Sequence, residues 1–442
     1  MILEEKEIKG LLENIMAENP GKEMSVGVSG NERGSTRFAN NAITTNGVYN
    51  RLELYVEVTK GKKRGIALVN ELSKAAILEA VRRADALADV APENEELMPL
   101  LGPQAYPSVP PLYFPSTADF SPGRRADAII AVNEKAKKRD LSAAGFFETG
   151  SYASASLNSK GLYYYVKATR SYYSNTLRGG GGSGWASAEE ENVDKIATGD
   201  LSDRALKTAL DSRAPKSLAP GKYTVILEPA AVADLVFFLG YNFAAREADE
   251  GRSFLSLGEG KNRLGEKLVS SQITIYSDPA FPEVPAFPVG EDGLPLKKTV
   301  WIEKGVIKNL IYTRYWAEKK GREPVPFPQN IIMEGQINTV EDLIKSTEKG
   351  VLVSRFWYIR DLNPMILLLT GLTRDGVFWI ENGKVTHPVN NFRFNESPVN
   401  VLKNVEMMSR PVRAVGGETG RSAFVPALKV KDFNFASVSD AV

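Results

Sequence analysis

The chain has 442 residues, with 55 Lys+Arg against 54 Asp+Glu, 43% hydrophobic and 25% charged residues, one His and no Cys. That length suits roughly two to four domains with real cores, and the composition is that of an ordinary globular protein. A net charge of +1 gives no overall attraction for nucleic acid or an anionic membrane; the lack of Cys excludes disulfide and thiolate chemistry, and a single His excludes any two-His metal motif.

Glu4, Glu5, Lys6 and Glu7 interrupt any leader-like apolar run at the N-terminus, and the longest run of large aliphatics is Met365-Ile-Leu-Leu-Leu369. A cytoplasmic location without membrane contact is the expectation. Residues 4–18 carry Ile8, Leu11, Leu12, Ile15 and Met16 at helical spacing. Strand-like alternation follows at 25–28 and 51–58, with Asn46-Gly47 and Lys60-Gly61 as expected hairpin turns. A second amphipathic helix is predicted over 74–88 from Ile77, Val81, Ala84 and Ala88, before Pro92. The expected organisation is an N-terminal α/β domain over 1–92, a connector over 93–118 with six prolines, a middle α/β domain over 119–216, and a β-rich C-terminal domain over 221–442. In the last of these, a strand at 222–227 leads through Pro229 into a helix predicted to reach about Glu247. Turn signals at Glu303-Lys-Gly305, Arg374-Asp-Gly376 and Glu381-Asn-Gly383 then divide strand-like segments. The fold class is α+β.

Four features invite a chemical reading. The run Arg178-Gly-Gly-Gly-Gly-Ser-Gly-Trp185 lacks the Lys-Ser/Thr that completes a phosphate loop, so a close-packing loop is expected. His387 has no Gly-x-Ser-x-Gly elbow to accompany it and reads as a structural or surface residue. Glu247, Asp249 and Glu250 lack calcium-loop spacing and read as a solvated helix end. Phe356-Trp-Tyr358 between Arg355 and Arg360 reads as a strand, not a base-stacking platform.

Several stretches nonetheless form a pattern by their order and spacing: Arg37-Phe-Ala-Asn-Asn41, Gly184-Trp-Ala-Ser187, Arg263-Leu-Gly-Glu-Lys267, Lys298-Thr-Val-Trp-Ile-Glu-Lys-Gly-Val306, Thr313-Arg-Tyr315, Asn363-Pro364, Ile380-Glu-Asn-Gly-Lys-Val385 and Val401-Leu-Lys-Asn404. In these the chain resembles the TldD/PmbA family, once labelled modulators of DNA gyrase and regarded as metallopeptidase-like. The resemblance implies an α/β N-terminal part, a β-rich, barrel-like C-terminal domain, and chains paired around a cavity that holds extended peptides. In active members of such a family a His-Glu-x-x-x-His helix and a downstream Cys hold zinc, whose bound water the Glu deprotonates.

Counting back without gaps from Gly265-Glu266, those positions fall on Tyr241-Asn-Phe-Ala-Ala-Arg246, with the Cys position near Thr419. Tyr241 and Arg246 stand where the two His are implied, and Asn242 where the Glu is implied. Arg has no free lone pair for a metal, and Asn has no basic carboxylate. Residues five apart on an ideal helix also lie about 140° from each other, so such a ligand pair demands a local distortion. No zinc or other cofactor and no catalytic residue is therefore expected in this chain. Asn242 and Arg246 remain candidates for contacting peptide, Arg246 through an acidic side chain or a C-terminal carboxylate. The expected role is a non-catalytic subunit of a peptide-degrading complex, as a homodimer or with a zinc-bearing TldD-like paralogue; the alternative is a hydrolase using carboxylates such as Glu250 or Glu266.

Overall fold

Helix α1 (Glu5–Ala17) forms where the apolar spacing predicts it and buries Ile8, Leu12 and Ile15. In this computed structural model residues 4–258 and 260–440 are described. The long strands β1 (Glu23–Ala39) and β2 (Ala42–Lys60) pair antiparallel along nearly their whole length, and β3 (Lys63–Val69) adds to β2. The hairpin turn lies at Asn40-Asn41, both with positive φ, and not at Asn46-Gly47, which runs on inside β2 opposite Thr36 and Ser35. The reason is visible in the contacts: the Asn41 side chain accepts from Ala143 N–H and donates to the Leu141 carbonyl, and the Thr36 hydroxyl donates to Asn46 Oδ1. Asn tolerates the left-handed region, and here tertiary bonds select which Asn pair uses it.

Helix α2 (Lys74–Val90) is capped by Ser73 and buries Ile77, Ala80, Val81, Ala84 and Ala88. After the proline-rich connector come α3 (Pro122–Lys137), β4 (Ser142–Asn158), β5 (Tyr163–Gly179), β6 (Gly182–Glu190) and α4 (Thr198–Asp211). The six strands form one sheet in the order β3-β2-β1-β4-β5-β6. The stretches 1–92 and 119–216 thus each give three strands to a single sheet, joined at the β1–β4 pair. Alternate residues of β1, including Met24, Val26, Val28 and Phe38, are buried on the face covered by the helices: α1 and α2 at one end, α3 and α4 at the other. The opposite face carries Ser25, Gly27 and Ser29 and looks towards the C-terminal half.

The glycine-rich run is a hairpin. Gly180 and Gly181 take positive φ in the turn, and Gly184 lies so close to α4 that an added Cβ would sit 2.1 Å from the Ala205 carbonyl oxygen. Its glycines serve turn and packing, as a close-packing loop requires.

In the C-terminal half, β7 (Gly221–Leu227), β8 (Lys349–Asn363), β9 (Leu368–Glu381), β10 (Asn391–Glu396) and β11 (Leu428–Ser439) close into a five-stranded barrel. The ring runs β7–β8 (parallel), then β8–β9, β9–β10, β10–β11 and β11–β7, all antiparallel. Closure removes sheet edges. Phe356, Phe392, Phe394, Phe433 and Phe435 pack ring on ring among the barrel strands, with centroids 4.4–5.8 Å apart. Six short strands, among them Thr299–Glu303, Val412–Val415 and Ser422–Val425, make a second sheet. Helix α5 (Pro229–Tyr241) is apolar on nearly all sides and buried accordingly, from Ala231 to Leu239. It stops at Tyr241 instead of reaching Glu247, because Phe243 and Ala245 exchange backbone hydrogen bonds with Ile311 and pull the chain out of the helix. A short helix α6 (Ala245–Asp249) follows. No helix among the described residues is long and apolar enough to cross a membrane.

Candidate functional site

The break between α5 and α6 sends the sequence-predicted site residues in different directions. Tyr241 ends α5, with its ring stacked on Phe327 at 5.5 Å and on Phe237 at 6.2 Å, and with the Arg421 guanidinium 5.8 Å from its centroid. Asn242 caps the same helix, donating from Nδ2 to the Phe238 carbonyl at 2.8 Å. Arg246 points elsewhere: it grips Glu96 of the connector through two bonds of 2.8 Å, donates from Nε to Glu250 at 3.0 Å, and lies over the Trp316 ring at 5.3 Å. The hydrogen bonds it donates to Glu96 and Glu250 hold its pKa above the ordinary arginine value.

Thr419 meets none of these three. Its hydroxyl and backbone N–H both donate to Asp234 Oδ1, at 3.0 and 2.9 Å, and the Glu418 N–H donates to the same carboxylate. Asp234 is wholly buried in α5, seven residues before Tyr241. Burial pushes its carboxyl up to about 6, against the opposing pull of those donors. Glu418 then ties the loop outward, accepting from the Tyr358 N–H at 2.7 Å and from Arg360 Nη1 at 2.6 Å on the far end of β8. The loop Gly416–Arg421 is thereby pinned between the middle of α5 and the β8–β9 hairpin. An added Cβ at Gly416 would lie 2.2 Å from Asp234 Oδ1, so the carboxylate is seated against bare backbone.

These side chains do not fit zinc. Tyr241 is stacked, the Asn242 amide is turned onto its own helix, Arg246 offers no lone pair, and the Thr419 oxygen is committed to Asp234. Among the described residues no group of three or more His, Cys, Asp or Glu is placed to hold a metal ion. Three of the other candidate carboxylates, Asp249, Glu250 and Glu266, are engaged as well. Asp249 is buried, accepting from Asn262 Nδ2 and Trp316 Nε1, while Glu250 pairs with Arg246 and Arg252, and Glu266 with Arg263. Arg355 makes a buried ion pair with Asp375 on the β8–β9 hairpin, where Trp357 and Tyr358 are exposed. His387 lies half-buried on the strand Lys384–Pro388, its Nδ1 3.0 Å from the Thr386 hydroxyl.

Of the four residues only Arg246 borders a cavity of about 870 Å³, which lies between the open face of the six-stranded sheet and the C-terminal half. Its floor follows from the strand register: Glu57 faces Ser25, Tyr55 faces Gly27 and then Ser156 and Tyr164, and Glu53 faces Ser29 and then Ser154. Arg246, Glu247, Arg314 and Trp316 form the opposite wall, and connector residues 94–101 run along one side. The connector is fastened there, with Leu101 accepting from Asn158, Pro99 from Arg314, and the Tyr106 hydroxyl donating to Gly293. Burial pushes the Tyr106 hydroxyl up to about 12.

Sequence reasoning missed Asp234, Glu96 and Glu418. A signal existed for the first: Asp234 is the one charge in the otherwise apolar run of α5. The other two are exposed-type carboxylates whose partners lie 150 and 58 residues away, which no local pattern reveals.

Comparison with known proteins places this architecture. Residues 220–437 match the model of the PmbA/TldA metallopeptidase C-terminal domain. A metalloprotease from Methanothermobacter thermautotrophicus is 28% identical over 263 residues, 55% of this chain and 54% of that protein. One from Archaeoglobus fulgidus is 25% identical over 207 residues, 43% of this chain and 47% of the relative. The matched stretches thus span about half the length of these relatives. Whole-chain similarity comes from solved structures: TldE from Thermococcus kodakarensis superposes with a TM-score of 0.82 at 19% identity, covering 98% of this chain and 99% of TldE. A proposed DNA gyrase modulator from Bacteroides thetaiotaomicron gives 0.84 at 21% identity, with 98% and 99% covered. By that match residues 220–437 belong to the PmbA/TldA metallopeptidase C-terminal domain family, and the chain shares its fold from end to end with TldE and the gyrase-modulator structure.

Proposed function

We propose that this chain is a non-catalytic member of its family that completes a peptide-holding cavity for a second chain, either another copy of itself or a zinc-bearing TldD-like paralogue. One observation carries the reading: the positions implied for zinc and its base are occupied by Tyr241, Asn242, Arg246 and Thr419, none of which brings an imidazole, thiolate or carboxylate to a metal, and which are engaged in stacking or hydrogen bonds of their own. The large polar cavity against the sheet supports the binding half of the role. Extended peptides in such clefts are held by main-chain bonds with side chains in flanking pockets.

Elemental analysis of untagged protein purified without chelators tests this directly. The expected result is below about 0.1 zinc per chain, since working zinc sites retain the ion through purification. Close to one zinc per chain, or peptide cleavage by the isolated chain that a single Glu250→Gln or Glu266→Gln abolishes, overturns it in favour of a hydrolase. Recovery of a His-Glu-x-x-x-His chain on co-purification selects the heteromer; self-association alone selects the homodimer.

A further inference from the structure

The cavity beneath the sheet is not neutral. Three arginines stand in its walls, and each is already used: Arg64 pairs with Glu57, Arg246 with Glu96 and Glu250, and Arg314 with Asp292 and the Pro99 carbonyl. Two carboxylates in the same walls are not used. Glu247 on α6 and Glu291 have no side-chain hydrogen bond or ion pair among the described residues. Glu53 on the floor is matched only by Arg51 at 2.7 Å, outside the lining. The remaining field inside is therefore negative.

The floor adds room and a second kind of affinity. Ser25, Gly27 and Ser29 of β1 with Ser154 and Ser156 of β4 leave a low central track, flanked by the rings of Tyr55 and Tyr164. A track of small residues between aromatic edges admits a chain in extended form, and an ammonium or guanidinium group gains from both the carboxylates and the ring faces. An anionic ligand finds the reverse. Every cation it could meet is neutralised, so it would lose hydration without gaining a counter-charge.

We propose that this cavity binds basic peptide segments, with Lys or Arg side chains placed against Glu247 and Glu291, and discriminates against acidic ones. The proposal rests on the peptide-holding reading above and names its substrate class. It also sets Arg246 in a different light: that residue's part is to hold the connector at Glu96 and close the wall, not to receive a carboxylate.

The test is fluorescence anisotropy of three unstructured peptides of equal length, one Lys-rich, one Glu-rich and one of Ser and Gly only, against the full chain at about 50 mM salt. The Lys-rich peptide is expected to bind roughly tenfold tighter than the uncharged one, and the Glu-rich peptide weakest. The double variant Glu247→Gln/Glu291→Gln is expected to remove most of that tenfold advantage. A pair of remote surface changes, Glu13→Gln/Glu134→Gln, should leave it intact. If uncharged and Lys-rich peptides bind equally, or the double variant keeps the full preference, the basic specificity is overturned while peptide holding stands. If none of the three peptides binds, peptide holding falls and the specificity with it.

Discussion

Asp234 shows how much one side chain can organise. A carboxylate without any exposed surface sits in the middle of an apolar helix and collects three donors from the loop Gly416–Arg421. Its pKa is raised from 3.8 to about 6, chiefly by burial. A carboxyl that binds its proton more tightly when folded favours the folded state at low pH, and loses that advantage as pH climbs from the unfolded to the folded value. Between pH 4 and 6 this group should therefore withdraw on the order of 2–3 kcal/mol of stability, at 1.36 kcal/mol per unit. The measurement is denaturant unfolding of wild type and Asp234→Asn across that range. Relative to wild type, the variant should gain stability with rising pH up to about 6 and run parallel above it; parallel curves throughout would refute the assignment. Removing a single donor with Thr419→Val should cost about 1 kcal/mol, the usual worth of a buried hydrogen bond, read from the shift in denaturation midpoint. At this scale the sequence was partly legible. Tyr241, Asn242, Arg246 and Thr419 were named as candidates from a resemblance, and their partners could not be named at all, because Asp234, Phe327 and Glu96 are reached only through the tertiary fold.

At the scale of elements, helices with a strong 3.6-residue pattern were readable nearly to their ends, as α1 and α2 show. Failures came where two local signals competed and a distant contact decided. Asn46-Gly47 is the stronger hairpin dipeptide by propensity, yet Asn40-Asn41 forms the turn because Leu141 and Ala143 bond to Asn41. Likewise Gly240 permits a break within 229–247 without requiring one, and it is Ile311 that supplies the competing hydrogen bonds. The glycine-rich segment yields a sharp prediction. Gly184→Ala must push α4 away from β6, as the new methyl would overlap both the Ala205 carbonyl and the Ala209 N–H. Overpacking of that kind costs typically 1–3 kcal/mol, to be seen as a lower melting temperature, whereas Gly181→Ala meets no neighbouring atom within 4 Å and bears only the cost of its positive φ.

Over the whole molecule, two halves differ in how they close their sheets. The barrel of the C-terminal half has no free edge among its five strands, whereas β1 and β4 depend on each other across the boundary between stretches 1–92 and 119–216. A fragment of residues 217–440 should accordingly keep a cooperative thermal transition, while residues 1–92 alone, exposing the β1 edge, should aggregate or remain unfolded. Circular dichroism and size-exclusion chromatography of the two fragments decide this, and a soluble, cooperatively melting 1–92 would contradict it. The α+β class and the β-rich C-terminal half were legible in turn spacing and strand alternation. The shared sheet was not, since pairing across 133 residues, as between Ser25 and Asn158, leaves no periodic trace.

One feature of this chain makes it unusually open to spectroscopy. His387 is the single imidazole in 442 residues, and no thiol is present. It lies half-buried in the wall of a second cavity, of about 660 Å³, beside the start of α5. Isotope labelling of histidine therefore yields one resonance from a known strand, free of assignment ambiguity. Any cysteine introduced at the rim of the larger cavity would be the only attachment point for a dye or spin label. The start of α5 and the mouth of the larger cavity can thus be watched separately, in solution, with one isotope and one label.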